Sequence, residues 1–230
     1  MNKKVKTLII SIGTGRSGSA SLSSFLSAQK KMLVLHEGRL EKEKIRKLFK
    51  WENDDDELFK WLDYLINYDD NIDFIGDTGM YFLTYIDSII KKYNNVKIIG
   101  LEREKKEVIN SFLKKTKGRN HWYSHNGKDW SLDKRWDPCF PKYPIKDKKK
   151  AIAKYYDDYI KTTKNLRLKY PNNIKIWSLS NFNTQKTKNE ILDFISFKNE
   201  RIIEKDFVRN TKLKSYREFI LKKIKEWFSV

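Results

Sequence analysis

The residues from Thr7 to Ser21 read Thr-Leu-Ile-Ile-Ser-Ile-Gly-Thr-Gly-Arg-Ser-Gly-Ser-Ala-Ser, a set of types suited to holding a multiply charged anion. Gly13, Gly15 and Gly18 let the backbone turn so that several N–H groups face one point. Arg16 adds a cation inside the turn, and Ser17, Ser19 and Ser21 add hydroxyls. The apolar run before the loop predicts a strand buried on both faces, as in a parallel sheet. The run after it, with Leu22, Phe25 and Leu26 on one side, predicts a helix whose N-terminus points at the same spot. Strand, glycine loop and helix together form a cradle for a phosphate-like group.

Three chemistries use such a cradle. A nucleoside-triphosphate loop needs G-x-x-x-x-G-K-[ST]. The spacing of Gly13 and Gly18 fits, but Ser19 and Ala20 stand where the lysine and the magnesium-binding hydroxyl belong, which disfavours a kinase or ATPase. The stretch is also a literal G-x-G-x-x-G, and Glu37 ends a second expected strand, Met32 to Glu37. That is close to where a dinucleotide fold places its ribose-binding acid, so an NAD(P)-dependent reductase is an alternative. Such a reductase of the short-chain kind should carry Tyr-x-x-x-Lys on a helix, and the one match, Tyr93 to Lys97, straddles an expected turn. The third chemistry uses Arg16 to stabilise charge on an atom that departs from the bound anion.

It is here that the chain resembles a family. Gly15-Arg-Ser-Gly-Ser-Ala-Ser-Leu22 is similar to the 5′-phosphosulfate loop of sulfotransferases that use 3′-phosphoadenosine 5′-phosphosulfate (PAPS). The family pattern is Lys or Arg followed by Ser-Gly-Thr-Thr. Arg16, Ser17, Gly18 and Ser19 match it, Ala20 departs from it, and Ser21 is a candidate substitute for the missing hydroxyl. A second block supports the likeness. Arg103 follows an expected strand, residues 95–101, and Ser111 lies eight positions on in an expected helix. Family members use such a pair to grip the 3′-phosphate. The resemblance runs over residues 6–197. Beyond it, Arg209 to Lys212 is a weak stand-in for the late Arg-Lys-Gly segment of many relatives.

The resemblance implies an α/β, three-layer P-loop-like domain with a central parallel sheet of about four or five strands flanked by helices. It also implies PAPS as co-substrate, no metal, and a hydroxyl or amine acceptor on a glycan, lipid or small molecule. Gly15, Arg16, Ser17, Gly18, Ser19, Ala20 and Ser21, with Arg103 and Ser111, would bind the nucleotide. Arg16 would also stabilise the charge of transfer. The base is expected at the carboxyl edge of the sheet, where ligands of open α/β sheets bind. Relatives use a glutamate or a histidine there, and His36 and Glu37 are the candidates. Neighbouring side chains of a strand point to opposite faces, so one of the two is expected to face the site, and Glu37 is preferred. Asp77, at the end of a third apolar strand, is read first as a cap of the next helix (with Thr78 the other choice) and second as an acceptor-orienting group or base.

The elements that must position these residues are legible in outline. Leu58, Trp61, Leu62 and Leu65 have helical spacing, residues 81–93 and 152–168 read as helices, residues 174–177 as a strand and 189–197 as a helix. The segment 117–149 is long and rich in aromatic residues, among them His121, Trp122, Trp130, Trp136, Phe140 and Tyr143. It is either a lid and acceptor platform or a loop whose rings pin it to the body. Residues 198–230 read as a helical extension, ending in a basic, aromatic amphipathic helix at residues 219–228.

Composition bounds the rest. A chain of 230 residues, 39% hydrophobic and 34% charged, suits one α/β domain, residues 1–230. No apolar stretch reaches the roughly 20 residues of a membrane span, and a cleaved signal peptide would remove the first strand. The single cysteine, Cys139, excludes an internal disulfide and is read as structural, which makes a reducing cytoplasm the default location. His121 and His125 lack an acidic third ligand, so no metal site is assigned. The net charge of +19 suits attraction of a polyanionic nucleotide and of an acidic acceptor, or a lysine-biased surface with no partner. No nucleic-acid module is present in the sequence. A non-catalytic basic module that binds nucleotides or polyanions is the remaining alternative.

Overall fold

The computed structural model describes residues 5–40, 45–51, 55–204 and 206–207. The first apolar run forms β1 (Thr7–Ile12), and the Gly/Ser loop leads into α1 (Ser19–Ala28). The chain continues through β2 (Met32–His36), the short pair β3 (Arg39–Leu40) and β4 (Ile45–Arg46), and α2 (Asp55–Ile66). Next come β5 (Phe74–Thr78), a 3₁₀ turn over Met80–Tyr85, and α3 (Ile86–Lys92). The last elements are β6 (Val96–Glu102), α4 (Lys105–Lys115), α5 (Lys148–Lys169), β7 (Ile174–Ser178) and α6 (Gln185–Phe194).

Five of these strands make one parallel sheet in the order β2-β5-β1-β6-β7. Alternation along β1 divides the core. Leu8, Ile10 and Ile12 join the side chains of α2, α3, α4 and α5, while Ile9 joins Leu22, Phe25 and Leu26 of α1 and Ile191 and Leu192 of α6. The result is the expected three-layer α/β architecture, with both faces of the sheet covered because both faces are apolar. The central strand leaves no alternative, since Leu8, Ile9, Ile10 and Ile12 are each at most 2% exposed.

The strand order bears on the dinucleotide alternative. In a Rossmann fold the second strand lies beside the first, whereas here β5 is inserted between β1 and β2. Tyr93 follows the end of α3 and Lys97 lies in β6, so they do not form a helical Tyr–Lys pair. The register brings Ser11 beside Thr78, His36 beside Thr78 and Ile12 beside Gly100, which aligns the carboxyl ends of four strands along one edge.

One expectation changes. The helix expected over residues 81–93 opens as a 3₁₀ turn and becomes α-helical only at Ile86. Most of the helical extension expected over residues 198–230 lies outside the described residues; the described part begins as irregular chain. It crosses the outside of α1 and α6 as irregular chain, tied by Gln29 to both polar backbone groups of Ile202 and by Lys188 Nζ to the Ile203 carbonyl. Polar backbone anchored by buried side chains needs no helix to satisfy it. Arg209 to Lys212 and the amphipathic stretch 219–228 lie outside the described residues.

Candidate active site

The loop after β1 is built as its composition demands. Gly15 (φ 76°), Arg16 (φ 59°) and Gly18 (φ 93°) all take left-handed conformations. A Cβ on Gly18 would come 2.5 Å from Leu179 Cδ1, so the position excludes side chains on both counts. Two tyrosines one turn apart on α5 brace the loop from beneath. Tyr159 Oη accepts from the Gly13 amide at 2.8 Å and donates to the Met80 carbonyl at 3.1 Å, while Tyr155 Oη donates to the Thr14 carbonyl at 2.8 Å. Both rings are buried. The amides of Ser17, Gly18, Ser19 and Ala20 meet no backbone or side-chain acceptor among the described residues, and no acidic residue occupies the first turn of α1. Those donors, and the positive end of the helix, are left unneutralised among the described residues.

Arg16 is half-buried and makes no ion pair among the described residues. Its Nε donates to Ser111 Oγ at 3.0 Å, and its carbonyl accepts from Arg103 Nη1 at 2.9 Å. Arg103 is anchored in turn by Glu107 at 2.8 Å, and Tyr156 Oη donates to its carbonyl. Arg16 thus touches both Arg103 and Ser111, the partners that the family resemblance set at the other end of one nucleotide. Burial weakens the hold of Arg16 on its proton, Glu37 opposes this, and the Arg103 charge adds to it. Two guanidinium groups whose charges act on one another, with a carboxylate bound to only one of them, favour an anion beside them.

A cavity of about 340 Å³ opens beside the loop. Gly15, Arg16, Gly18, Ser19 and Ala20 line it on the loop side, and His36, Glu37 and Arg46 line it beyond the end of β2. Ser17 and Ser21 do not line it; both are buried. Arg103 lies at a separate crevice against Thr163 and Ile176. The expectation that only one of His36 and Glu37 faces the site does not hold. Strand geometry ends at His36, and Glu37 takes a left-handed conformation (φ 55°) that turns its side chain to the same side. His36 Nε2 lies 3.2 Å from Ser19 Oγ and 3.8 Å from Glu37 Oε1, and Glu37 Oε2 forms an ion pair with Arg46.

Asp77 is not a helix cap. It is fully buried within β5, and the residue preceding the 3₁₀ turn is Gly79, with no capping side chain. Its Oδ1 accepts from the Gly38 amide at 3.1 Å and the Thr78 amide at 2.7 Å, which fixes the turn that carries Glu37. Its Oδ2 has no hydrogen-bond partner of good geometry, nearby Trp61 Nε1 included. Burial pushes its pKa up to about 7, with Glu37 adding to the rise and the two amides opposing it. The native protein therefore holds this proton more tightly than the unfolded chain. Asp77 contributes stability that is full below about pH 4 and is lost as the pH rises through about 7. Urea unfolding between pH 4 and 8 should show this fall, up to about 4 kcal/mol. Asp77→Asn, which keeps an acceptor for both amides, should flatten that part of the profile.

The aromatic segment is pinned to the body. Trp122 packs on Phe112 of α4 (centroids 4.9 Å) and on Phe140 (4.8 Å), and Phe140 reaches Tyr155 of α5 (5.7 Å). The same segment walls the cavity with Arg119, His121, Asp133, Trp136 and Phe140. Cys139 is buried and its thiol is pushed up to about 12, chiefly by burial, which fits a packing role. Among the described residues no group of three ligand-type side chains could hold a metal, and no helix is long and apolar enough to cross a membrane.

Sequence reasoning did not find Arg46, Arg119 or Asp133, which sit in charged stretches with no motif to mark them. It read residues 152–168 as a helix without assigning Tyr155 and Tyr159 to the loop. Their four-residue spacing, which puts them on one helical face, was the available signal.

No protein-family model matches the chain, and no curated protein matches its sequence. Among solved structures it is similar to a sulfotransferase from Alicyclobacillus acidocaldarius, with a TM-score of 0.55 and 10% identity, over 96% of this chain and 93% of that one. At that identity the likeness is one of fold, and it extends over nearly the whole length of both chains.

Proposed function

We propose that the protein is a sulfotransferase that moves the sulfuryl group of PAPS to a hydroxyl or amine of an acceptor bound in the cavity. The observation that carries this reading is Arg16. A half-buried guanidinium with no carboxylate within ion-pair distance among the described residues, set beside loop amides that have no acceptor there and bonded to Ser111, is costly to maintain unless an anion completes it. The loop amides and Arg16 hold the phosphosulfate. Arg103 and Ser111 hold the 3′-phosphate at the other end of the nucleotide. Both groups remain able to donate, Ser111 through its hydroxyl and Arg103 through the nitrogen not engaged by Glu107 or Arg16. Glu37, with His36 beside it, takes the acceptor's proton.

Positioning and electrostatics do most of the work in such a transfer. The acceptor oxygen attacks sulfur as the sulfur–oxygen bond to the nucleotide breaks, and negative charge grows on the departing phosphate oxygen beside Arg16. A dedicated metal is not part of this reading.

The test is ligand-dependent thermal stabilisation. At 100 times its Kd a true ligand adds about 2.7 kcal/mol. 3′,5′-Bisphosphoadenosine should stabilise the protein well beyond ATP, NAD or NADP, and selective stabilisation by NAD or NADP would overturn the reading. Arg103→Ala should cut the preference for 3′,5′-bisphosphoadenosine over adenosine 5′-phosphate by about 10- to 100-fold, the worth of one or two charge-assisted hydrogen bonds. Titration calorimetry with the two nucleotides measures that ratio directly.

A further inference from the structure

The aromatic wall of the cavity carries a proton acceptor that the reaction above does not use. His121 is 3% exposed, and its ring stacks on Phe140 with centroids 5.3 Å apart and planes 8° from parallel. Its Nδ1 lies 2.6 Å from Asp137 Oδ1, and Asp137 Oδ2 accepts from the Asp133 amide at 2.7 Å. A carboxylate on Nδ1 assigns the proton of the neutral ring to that nitrogen and leaves a lone pair on Nε2. Nε2 bonds to nothing among the described residues, yet His121 lines the same cavity as Arg16, His36 and Glu37. A buried histidine with a purely packing role would be expected to satisfy both nitrogens.

Resting on the sulfuryl-transfer reading, we propose that the His121–Asp137 pair is a second general base of this cavity, serving an acceptor hydroxyl bound against the aromatic wall. The bond between the acceptor oxygen and sulfur forms as the bond from sulfur to the 5′-phosphate oxygen breaks. That bond's electron pair leaves on the phosphate, giving 3′,5′-bisphosphoadenosine. The hydroxyl proton passes to Nε2, and the imidazolium is balanced by Asp137, which stays ionised.

The surroundings suit the role. Burial is the largest influence on His121 and favours the neutral ring, Asp137 and Asp133 oppose it, and Lys142 supports it. Lys142 Nζ also donates to the carbonyls of His121 and Asp137, both at 2.6 Å. Arg119 lines the same wall, and Arg16, His36, Glu37, Arg46 and Lys115 line the rest of the cavity. Glu37 must give up its Arg46 ion pair to accept a proton, whereas Nε2 gives up nothing.

Two measurements on the whole protein test this. Diethylpyrocarbonate, which carbethoxylates neutral imidazole, is applied with and without 3′,5′-bisphosphoadenosine, and His36, His121 and His125 are read separately by peptide mass spectrometry. The nucleotide should shield His36, which touches the loop, and leave His121 reactive. The second measurement is sulfate release from PAPS to water in a Glu37→Gln background. Adding His121→Gln should lower the residual rate about tenfold or more and abolish the acid limb of its pH profile. Asp137→Asn should lower the same rate, and neither change should alter affinity for 3′,5′-bisphosphoadenosine. An unreactive His121, or a residual rate and pH profile untouched by His121→Gln, overturns the inference with the donor site intact. Absence of nucleotide binding and of His36 shielding overturns the donor reading instead.

Discussion

Replacing Arg16 by alanine should lower the rate of sulfuryl transfer by about 10²- to 10³-fold, the usual result of removing one donor aimed at developing charge. The substitution removes the one loop cation and its bond to Ser111. It leaves the α5 tyrosines holding the loop through Gly13 and Thr14, so the backbone donors keep their places. The loss should therefore fall mainly on kcat, with a smaller rise in the KM for PAPS. Arg16→Lys should recover little, because a lysine ammonium cannot donate to Ser111 and face the anion with a second, fixed nitrogen. Single-turnover measurements with labelled donor separate the two effects. A kcat within a few-fold of the unaltered protein would show that the charge of transfer is stabilised elsewhere.

Glu37→Gln should cost about 10²-fold in transfer, the low end of what a positioned base supplies. The low end is expected because His121 shares the cavity and stays available. Glutamine preserves the size of the side chain and its hydrogen-bonding to Arg46, but removes the negative charge. The change also frees Arg46 from its ion pair and removes the Coulombic push on Asp77. The variant should accordingly bind 3′,5′-bisphosphoadenosine as well as the unaltered protein or better, since one negative charge near the phosphates is gone. Activity lost together with nucleotide affinity would mean that Glu37 shapes the loop and does not act as the base.

The framework was legible in sequence because its physics is local. A strand buried on both faces must be mostly apolar, so residues 8–12 and 95–101 declared themselves despite Ser11 and Lys97, and the glycines at 13, 15 and 18 marked the turn. Arg16, Arg103 and Ser111 were marked by the family resemblance, which their order and spacing match, and they lie in contact. What sequence could not supply depends on the path of the chain outside the sheet. Glu37 faces the cavity alongside His36 because a left-handed residue interrupts the alternation, and nothing in a two-residue pattern reports a positive φ. Asp77 reads as a cap since an acid before a helical run commonly is one. It is in fact buried, and its acceptor is spent on Gly38, distant in sequence. His121 was weighed as part of the aromatic segment and, with His125, as a metal ligand, whereas its partner, Asp137, lies across a loop with no regular period.

The tyrosines under the loop have a kinetic consequence. Since Tyr155 and Tyr159 fasten Thr14, Gly13 and Met80 to a long helix, the anion cradle is shaped before any guest arrives. Capture then needs no ordering of a floppy segment, and the encounter rate is governed by diffusion and by the surplus of positive charge on the molecule. Added salt should slow arrival of the nucleotide far more than it hastens departure.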